Sequence, residues 1–295
     1  PIASSAASDV YKRQILKDVD PVVILDLMEK YRIRYAFYVP AVILFLNSIP
    51  GVRERDFSNL EVLLYGASPI SEDVLLTAKD IFKCKFIQVY GLTETCGAGT
   101  ILEPEDHDPS LGRLRSCGKV APTAELKIVD SKGNSLGPNE VGEITYRSKS
   151  VMKGYWKNEE ATKKSISSGW FSTGDAGYLD ADGYLYIHDR IKDMIVSGGE
   201  NVYPAEVENA LFDHPAIGDV AVIGVPDDKW GEAVKAVVVL KPGAEATEDE
   251  IISYSRTKIA GYKIPKSIDF TDVLPRNPTG KLLKRAVSYT HLTLP

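Results

Sequence analysis

The chain has 295 residues, enough for about two domains at roughly 150 residues each, with an ordinary balance of 44% hydrophobic and 26% charged residues. Its 35 basic residues stand against 41 acidic ones, a formal charge of −6, so no global positive field exists to wrap a nucleic acid. The longest apolar run, the six residues Ala41–Leu46, falls far short of a membrane span, and three cysteines without metal-ligand spacing exclude a disulfide scaffold and point to a reducing, cytoplasmic setting.

Both ends read as foreign to the fold. Residues 1–14 and 287–295 resemble translated adaptor text, and the first lacks the apolar centre of a signal peptide, so the remainder is expected to be a piece of a longer chain. From Ile15 onward helix and strand patterns alternate. A helix is predicted over Pro21–Lys30, a short strand over Tyr35–Val39 ended by Pro40, and a strand over Leu60–Leu64 running into Gly66-Ala-Ser-Pro69. A helix over Ser71–Phe82 and a strand over Lys85–Val89 follow, which together predict an α/β layer with a largely parallel sheet. After Thr100 the pattern becomes short strands between polar turns, at Glu125–Val129, Gly142–Tyr146 and Tyr184–Ile187, as in an antiparallel region. A second change near Arg190 opens a compact unit: helix Pro204–Phe212, strands Val220–Val225 and Val234–Leu240, and helix Thr247–Ala260. Pro204 suits a first helical position, and Thr247 with Glu250 a capping box. The expected domains are therefore 15–190 and 191–286.

Four segments carry polar groups at places where chemistry is done. Tyr90-Gly-Leu-Thr-Glu-Thr95 follows a strand; its glycine lets backbone approach a ligand, and Thr93 beside Glu94 offers a hydroxyl and a carboxylate to a phosphate and its magnesium. Gly169-Trp-Phe-Ser-Thr-Gly-Asp175 presents an Asp after a tight turn, suited to both hydroxyls of a ribose. The stretch Asp189–Glu208 joins a charged cluster, a short apolar run and a Gly-Gly pair opening a helix. Pro275-Arg-Asn-Pro-Thr-Gly-Lys281 places a lysine on a loop near the terminus. Taken singly, each also reads as ordinary structure: a polar turn, a turn Asp bonding its own backbone, a charged linker, a solvated lysine. His107, His188 and His214 are scattered without ligand spacing or a matched nucleophile, so neither a metal site nor a triad is expected. Cys84, Cys96 and Cys117 read as small buried fillers, and Trp156, Trp170 and Trp230 as packing anchors.

In this order and together, the four segments resemble the adenylate-forming (AMP-binding) superfamily of acyl-CoA synthetases, firefly luciferases and peptide-synthetase adenylation domains. Within it the chain is most similar to bacterial fatty-acid–CoA ligases, through Ser197-Gly-Gly-Glu-Asn-Val-Tyr-Pro-Ala-Glu206 and Val222-Ile-Gly-Val-Pro-Asp227, and the resemblance covers Ile15–Ala286. It implies an α/β large-domain remnant with an antiparallel β subdomain, followed by a small mobile α+β C-terminal domain. It further implies ATP-dependent activation of a medium- or long-chain fatty acid to an acyl-adenylate, then transfer to CoA, with Mg²⁺ as the metal.

By motif match, Tyr90 would lie against adenine, Gly66 and Ala67 would bring backbone to its other face, and Gln88 would bond its edge. Thr93 would touch the α-phosphate, Glu94 would hold Mg²⁺, and Asp175 supported by Arg190 would take the ribose. Lys281 matches the catalytic lysine, Lys192 the hinge, and Gly198–Gly199 the loop past which pantetheine moves. The family's Ser/Thr/Gly-rich phosphate loop ending in Pro-Lys is not found in these residues, so the fragment is expected to be a poor catalyst or none. The alternatives are an aryl- or other acyl-CoA ligase, a peptide-synthetase adenylation domain, or a non-catalytic nucleotide-binding remnant. No nucleic-acid partner is expected, and nothing in the sequence indicates an oligomeric state.

Overall fold

The computed structural model describes residues 19–97, 99–277 and 282–291. The chain divides into two compact units: the first runs to Tyr65 and takes up Ile70–Phe86, and the second holds Gly66–Pro69 and the chain from Ile87 onward.

In the first unit α1 (Pro21–Lys30) starts where the Asp20 carboxylate accepts from the Val22 and Val23 amides at 2.9 and 3.2 Å. β1 (Tyr35–Tyr38) then pairs in parallel with β2 (Val62–Gly66), Tyr35 opposite Val62 and Tyr38 opposite Tyr65. Between them the apolar run 41–46 forms α2 (Pro40–Asn47): Pro40, expected only to end the strand, occupies a first-turn position, where its missing N–H costs nothing. α3 (Glu72–Phe82), capped by Ser71 on the Val74 amide, buries Leu75, Ala78, Ile81 and Phe82, and the Phe82 ring meets Phe57 edge-on at 4.9 Å.

β3 (Lys85–Tyr90) carries the chain into the second unit, where it pairs antiparallel with β4 (Thr100–Leu102), and β4 with β5 (Lys119–Val120). An antiparallel sheet follows, in the order β10-β9-β7-β6, from β6 (Ala124–Val129), β7 (Gly142–Ser148), β9 (Trp170–Leu179) and β10 (Leu185–Arg190), with the short β8 (Ile166–Ser167) on β9. Its core is Cys117, Ile128, Ile144 and Leu185. Between β7 and β8, the helix α4 (Glu159–Ser165) is capped by Asn158.

The last sheet runs β12-β11-β14-β13, with β15 parallel to β14; the strands are β11 (Ile195–Ser197), β12 (Glu200–Val202), β13 (Ile217–Asp227), β14 (Gly231–Leu240) and β15 (Ser267–Phe270). Val220 and Val222 of β13 join one apolar cluster with Val207 and Leu211 of α5 (Pro204–Phe212) and Ile251 of α6 (Glu248–Ser255). Ala221 and Ile223 point the other way, into a second cluster with Leu274 and with Val287 of α7 (Lys284–His291). Covering both faces is what turns this strand into an unbroken apolar run rather than an alternating one. Val287 itself, inside the segment expected to be foreign, is fully buried.

α6 was expected to reach Ala260 and stops at Ser255, because the next amides reach back three residues, Thr257 to Tyr254 and Lys258 to Ser255, in tighter turns. Its start matches the expected capping box: Thr247 Oγ1 accepts from the Glu250 amide at 3.3 Å, and Glu250 Oε2 from the Thr247 amide at 2.8 Å. Thr247→Ala should cost about 1 kcal/mol in urea unfolding. An unchanged midpoint would show the cap to be redundant. No helix among the described residues is long and apolar enough to cross a membrane.

Candidate functional site

The segment expected to be a turn before Asp175 is instead strand β9. Gly174, at φ +71°, gives it a local irregularity, and the Gly174 amide donates to Glu143 Oε1 at 3.2 Å. Further along the β9–β10 ladder Asp175 and Arg190 stand directly opposite each other, so the pairing of the strands brings an acid and a base together. Arg190 Nε donates to Asp175 Oδ1 at 2.6 Å, and the Tyr90 hydroxyl donates to Asp175 Oδ2 at 2.7 Å. Asp175 is only 5% exposed. Burial, reinforced by the Asp175 charge and its hydrogen bond, pushes the Tyr90 phenol far above its ordinary range, so it remains a proton donor.

Two residues back along β3, and so on the same face as Tyr90, Gln88 is 6% exposed. Its Nε2 lies 3.6 Å from Cys117 Sγ, and its Oε1 is a buried acceptor with no hydrogen-bond donor among the described residues. The Cys117 thiol, pushed up to about 12 chiefly by burial, stays neutral beneath it. At the end of β2, a Cβ on Gly66 would fall 2.2 Å from the Val89 carbonyl oxygen. Only glycine permits that approach, and Ala67 follows in the left-handed region at φ +70°.

Thr93 and Glu94 sit in a single 3₁₀ turn, Thr93–Thr95, closed by the Leu92 amide donating to Thr95 Oγ1 at 3.0 Å. Thr93 is exposed and Glu94 half-buried. Glu94 Oε1 accepts from the Tyr155 hydroxyl at 2.8 Å, and its carbonyl accepts from the Met152 amide at 2.8 Å. Among the described residues no three His, Cys, Asp or Glu side chains converge on a point where a metal could be held. A lone carboxylate beside a hydroxyl fits Mg²⁺, which keeps most of its water and shares the rest of its shell with phosphate oxygens.

Lys192 lies exposed in the short turn Ile191–Asp193 that follows Arg190. Gly198 and Gly199 do not open a helix as expected. At φ +62° and +86° they form the two-residue turn between β11 and β12, a conformation that favours glycine at both positions, while the helix begins at Pro204, where it was expected. A Cβ on Gly198 would lie 2.8 Å from the Trp230 ring. Lys281 and the Pro278–Gly280 residues before it lie outside the described residues. Two bland readings also change. Cys96 is exposed and Cys84 only half-buried, so Cys117 alone of the three is a buried filler. Trp156 is 87% exposed, with Lys157 Nζ 5.7 Å over its ring, rather than a packing anchor.

The structure thus ties Tyr90, Asp175 and Arg190 into one hydrogen-bonded group, with Gln88 and the Gly66 approach on the neighbouring backbone. Sequence reasoning missed Tyr155 and a buried ionic group beside the site. Lys284 Nζ lies 3.1 Å from Asp189 Oδ2 and 3.0 Å from Glu208 Oε1, while the Ala205 amide donates to the same Asp189 oxygen at 2.8 Å and the Val222 amide to the same Glu208 oxygen at 2.8 Å. The only trace of it in the sequence is that Asp189 adjoins Arg190.

The family model for AMP-binding enzymes matches residues 2–156, and that for the AMP-binding enzyme C-terminal domain matches residues 206–281. The fatty acid–[acyl-carrier-protein] ligase ScoC of Streptomyces coeruleorubidus is 41% identical over 261 residues, 88% of this chain and 50% of that protein. A feruloyl-CoA synthase of Amycolatopsis is 41% identical over 268 residues, 91% of this chain and 54% of that protein. The ATP-bound structure of MatB from Rhodopseudomonas palustris superposes with a TM-score of 0.86 at 32% identity, covering 95% of this chain and 55% of that one. The chain therefore spans about half the length of the curated relatives it matches.

Proposed function

This chain belongs to the AMP-binding enzyme family, and from that premise we propose that it is part of a ligase that activates a fatty acid with ATP and passes the acyl group to the thiol of CoA. The carboxylate oxygen attacks the α-phosphorus and pyrophosphate leaves; the thiol then attacks the acyl carbonyl of the adenylate, forming the thioester as AMP leaves and the thiol proton is released. The observation that carries the reading is the buried Asp175 carboxylate held between Arg190 and Tyr90, two residues along the strand from the donor-less carbonyl of Gln88. Asp175 would accept both ribose hydroxyls, and a carboxylate suits that task because its two oxygens accept about four hydrogen bonds in all. Gln88 Oε1 would accept from the exocyclic amino group of adenine, which would relieve the cost of burying that oxygen without a donor. The Tyr90 ring and the backbone at Gly66 and Ala67 would flank the base.

Thr93 would donate to the α-phosphate and Glu94 would hold Mg²⁺, whose charge offsets that of the phosphates. Lys281 would bring an ammonium to the acyl and phosphate oxygens, where charge develops during adenylation. In the same reading Lys192 is the hinge, residues 191–286 move as the C-terminal domain, and the Gly198–Gly199 turn lets pantetheine pass. The three free thiols are in keeping with a cytoplasmic setting.

Pyrophosphate release by the reconstructed full-length enzyme across a series of carboxylic acids, together with calorimetric titration of ATP into this chain, tests the proposal. Turnover highest with medium- or long-chain fatty acids is the expected outcome. Preference for aromatic acids would replace the fatty-acid assignment with the aryl one, which the equally similar feruloyl-CoA synthase favours. A chain that binds no adenine nucleotide would overturn the reading altogether.

A further inference from the structure

Glu94 has little of its own structure to hold it. It is the middle residue of a three-residue turn, so no helical ladder or strand neighbour sets its side chain. Among the described residues its two hydrogen bonds from outside the turn come from one short segment: the Met152 amide on its carbonyl and the Tyr155 hydroxyl on Oε1, each at 2.8 Å. That segment is itself braced. The Tyr155 amide donates to Thr162 Oγ1 at 2.9 Å, Thr162 Oγ1 donates to the Asn158 carbonyl at 2.8 Å, and Asn158 caps α4 through the Ala161 amide at 3.0 Å. Gly154, at φ +155°, packs so closely that a Cβ there would lie 2.8 Å from Thr162 Cγ2. A fixed strap therefore carries a phenol to an otherwise loosely held carboxylate.

We infer that Tyr155 is a positioning residue for Glu94: its hydroxyl takes Oε1, stops the carboxylate from swinging, and leaves Oε2 as the oxygen that meets the divalent cation of a bound nucleotide. The inference rests on the role proposed above for Glu94. A carboxylate already held in its binding rotamer loses less entropy when a cation arrives. Tyr155 is itself 37% exposed, so its hydrogen bond contributes little to fold stability, and removing it should act on the cation rather than on the fold.

The test is calorimetric titration of ATP into the full chain, once with excess Mg²⁺ and once with EDTA, for the wild type, Tyr155→Phe, Glu94→Gln and the double variant. The wild type should bind more tightly with Mg²⁺. Tyr155→Phe should lose about three- to tenfold of the Mg²⁺-supported affinity, match the wild type in EDTA, and melt within about 2 °C of it. Glu94→Gln should lose the Mg²⁺ effect entirely, and adding Tyr155→Phe to it should change nothing more. Tyr155→Phe indistinguishable from wild type in both buffers, or weakened equally in both, overturns the inference. Failure of the premise is read on the wild type alone: ATP binding that ignores Mg²⁺ removes the cation role of Glu94 and the inference with it, whereas no ATP binding at all defeats the proposed function.

Discussion

Asp175→Ala is expected to weaken adenine-nucleotide binding about 100-fold and to destabilise the fold by about 2 kcal/mol. The first figure takes the low end for two lost hydrogen bonds to a charged acceptor, about 1.5 kcal/mol each. The second comes mostly from the Tyr90 hydroxyl, which is left in a buried place without the oxygen it now meets at 2.7 Å. Arg190 adds less, because its side chain is 39% exposed and can turn to water. Calorimetric titration of ATP and urea unfolding measure the two effects separately.

A pH series adds a signature. The folded state keeps the Tyr90 proton where the unfolded chain releases it near pH 10, so this contribution to stability is complete below that pH and is lost as pH rises further. Burial remains in the variant but the Asp175 charge is gone, so its alkaline loss should be shallower than that of the wild type. Nucleotide affinity within threefold of wild type would remove Asp175 from the ribose site.

Lys284→Met should cost about 3 kcal/mol near neutral pH, because it leaves the Asp189 and Glu208 carboxylates facing one another without the ammonium between them. The three side chains are only 16%, 9% and 18% exposed, so water replaces little of what is lost. Burial holds the Glu208 carboxyl above its usual range, while Lys284 and the Val222 amide draw it back. Burial also works against the Lys284 charge, but Glu208 and Asp189 outweigh it and lift its pKa overall. Without Lys284, Glu208 rises further. The folded variant then keeps a proton that the unfolded chain gives up above about pH 4.3, so its stability falls as pH climbs through the raised folded value. The deficit against wild type in urea should accordingly narrow from pH 8 to pH 5. A deficit below about 1 kcal/mol, or one that ignores pH, would show that the ammonium does not hold the two acids together.

What could be read in the sequence was local. Asp, Ser and Thr ahead of apolar periodicity mark helix starts through a mechanism confined to four residues, and the Thr247–Glu250 box shows that such signals survive folding. Where Gly and hydroxyl residues crowd together, the same logic failed. Gly169–Asp175 read as a turn because glycine and Ser/Thr favour turns, yet only Gly169 stays in one, and flanking pairing partners draw Trp170–Asp175 into β9. The Gly198–Gly199 pair read as a helix opening when its two left-handed residues make a hairpin. Contacts of long separation leave no periodic trace at all. Tyr155 reaches Glu94 across 61 positions and Lys284 reaches Asp189 across 95. Residue type hinted at Asp175 and the family resemblance joined it to Arg190 and Tyr90; the contact itself appears only once β9 and β10 are paired.

Because Arg190 meets Asp175 through strand register, the site depends on a length as much as on two residue types. Side chains alternate across a strand, so an odd insertion or deletion in the turn Asp180–Gly183 would send Arg190 to the opposite side of the sheet if the ladder slipped to absorb it. Exposed turns are where chains ordinarily accept added or missing residues with least harm. This one should resist such changes, and natural or engineered variation in its residue count should be counted among mutations of the site.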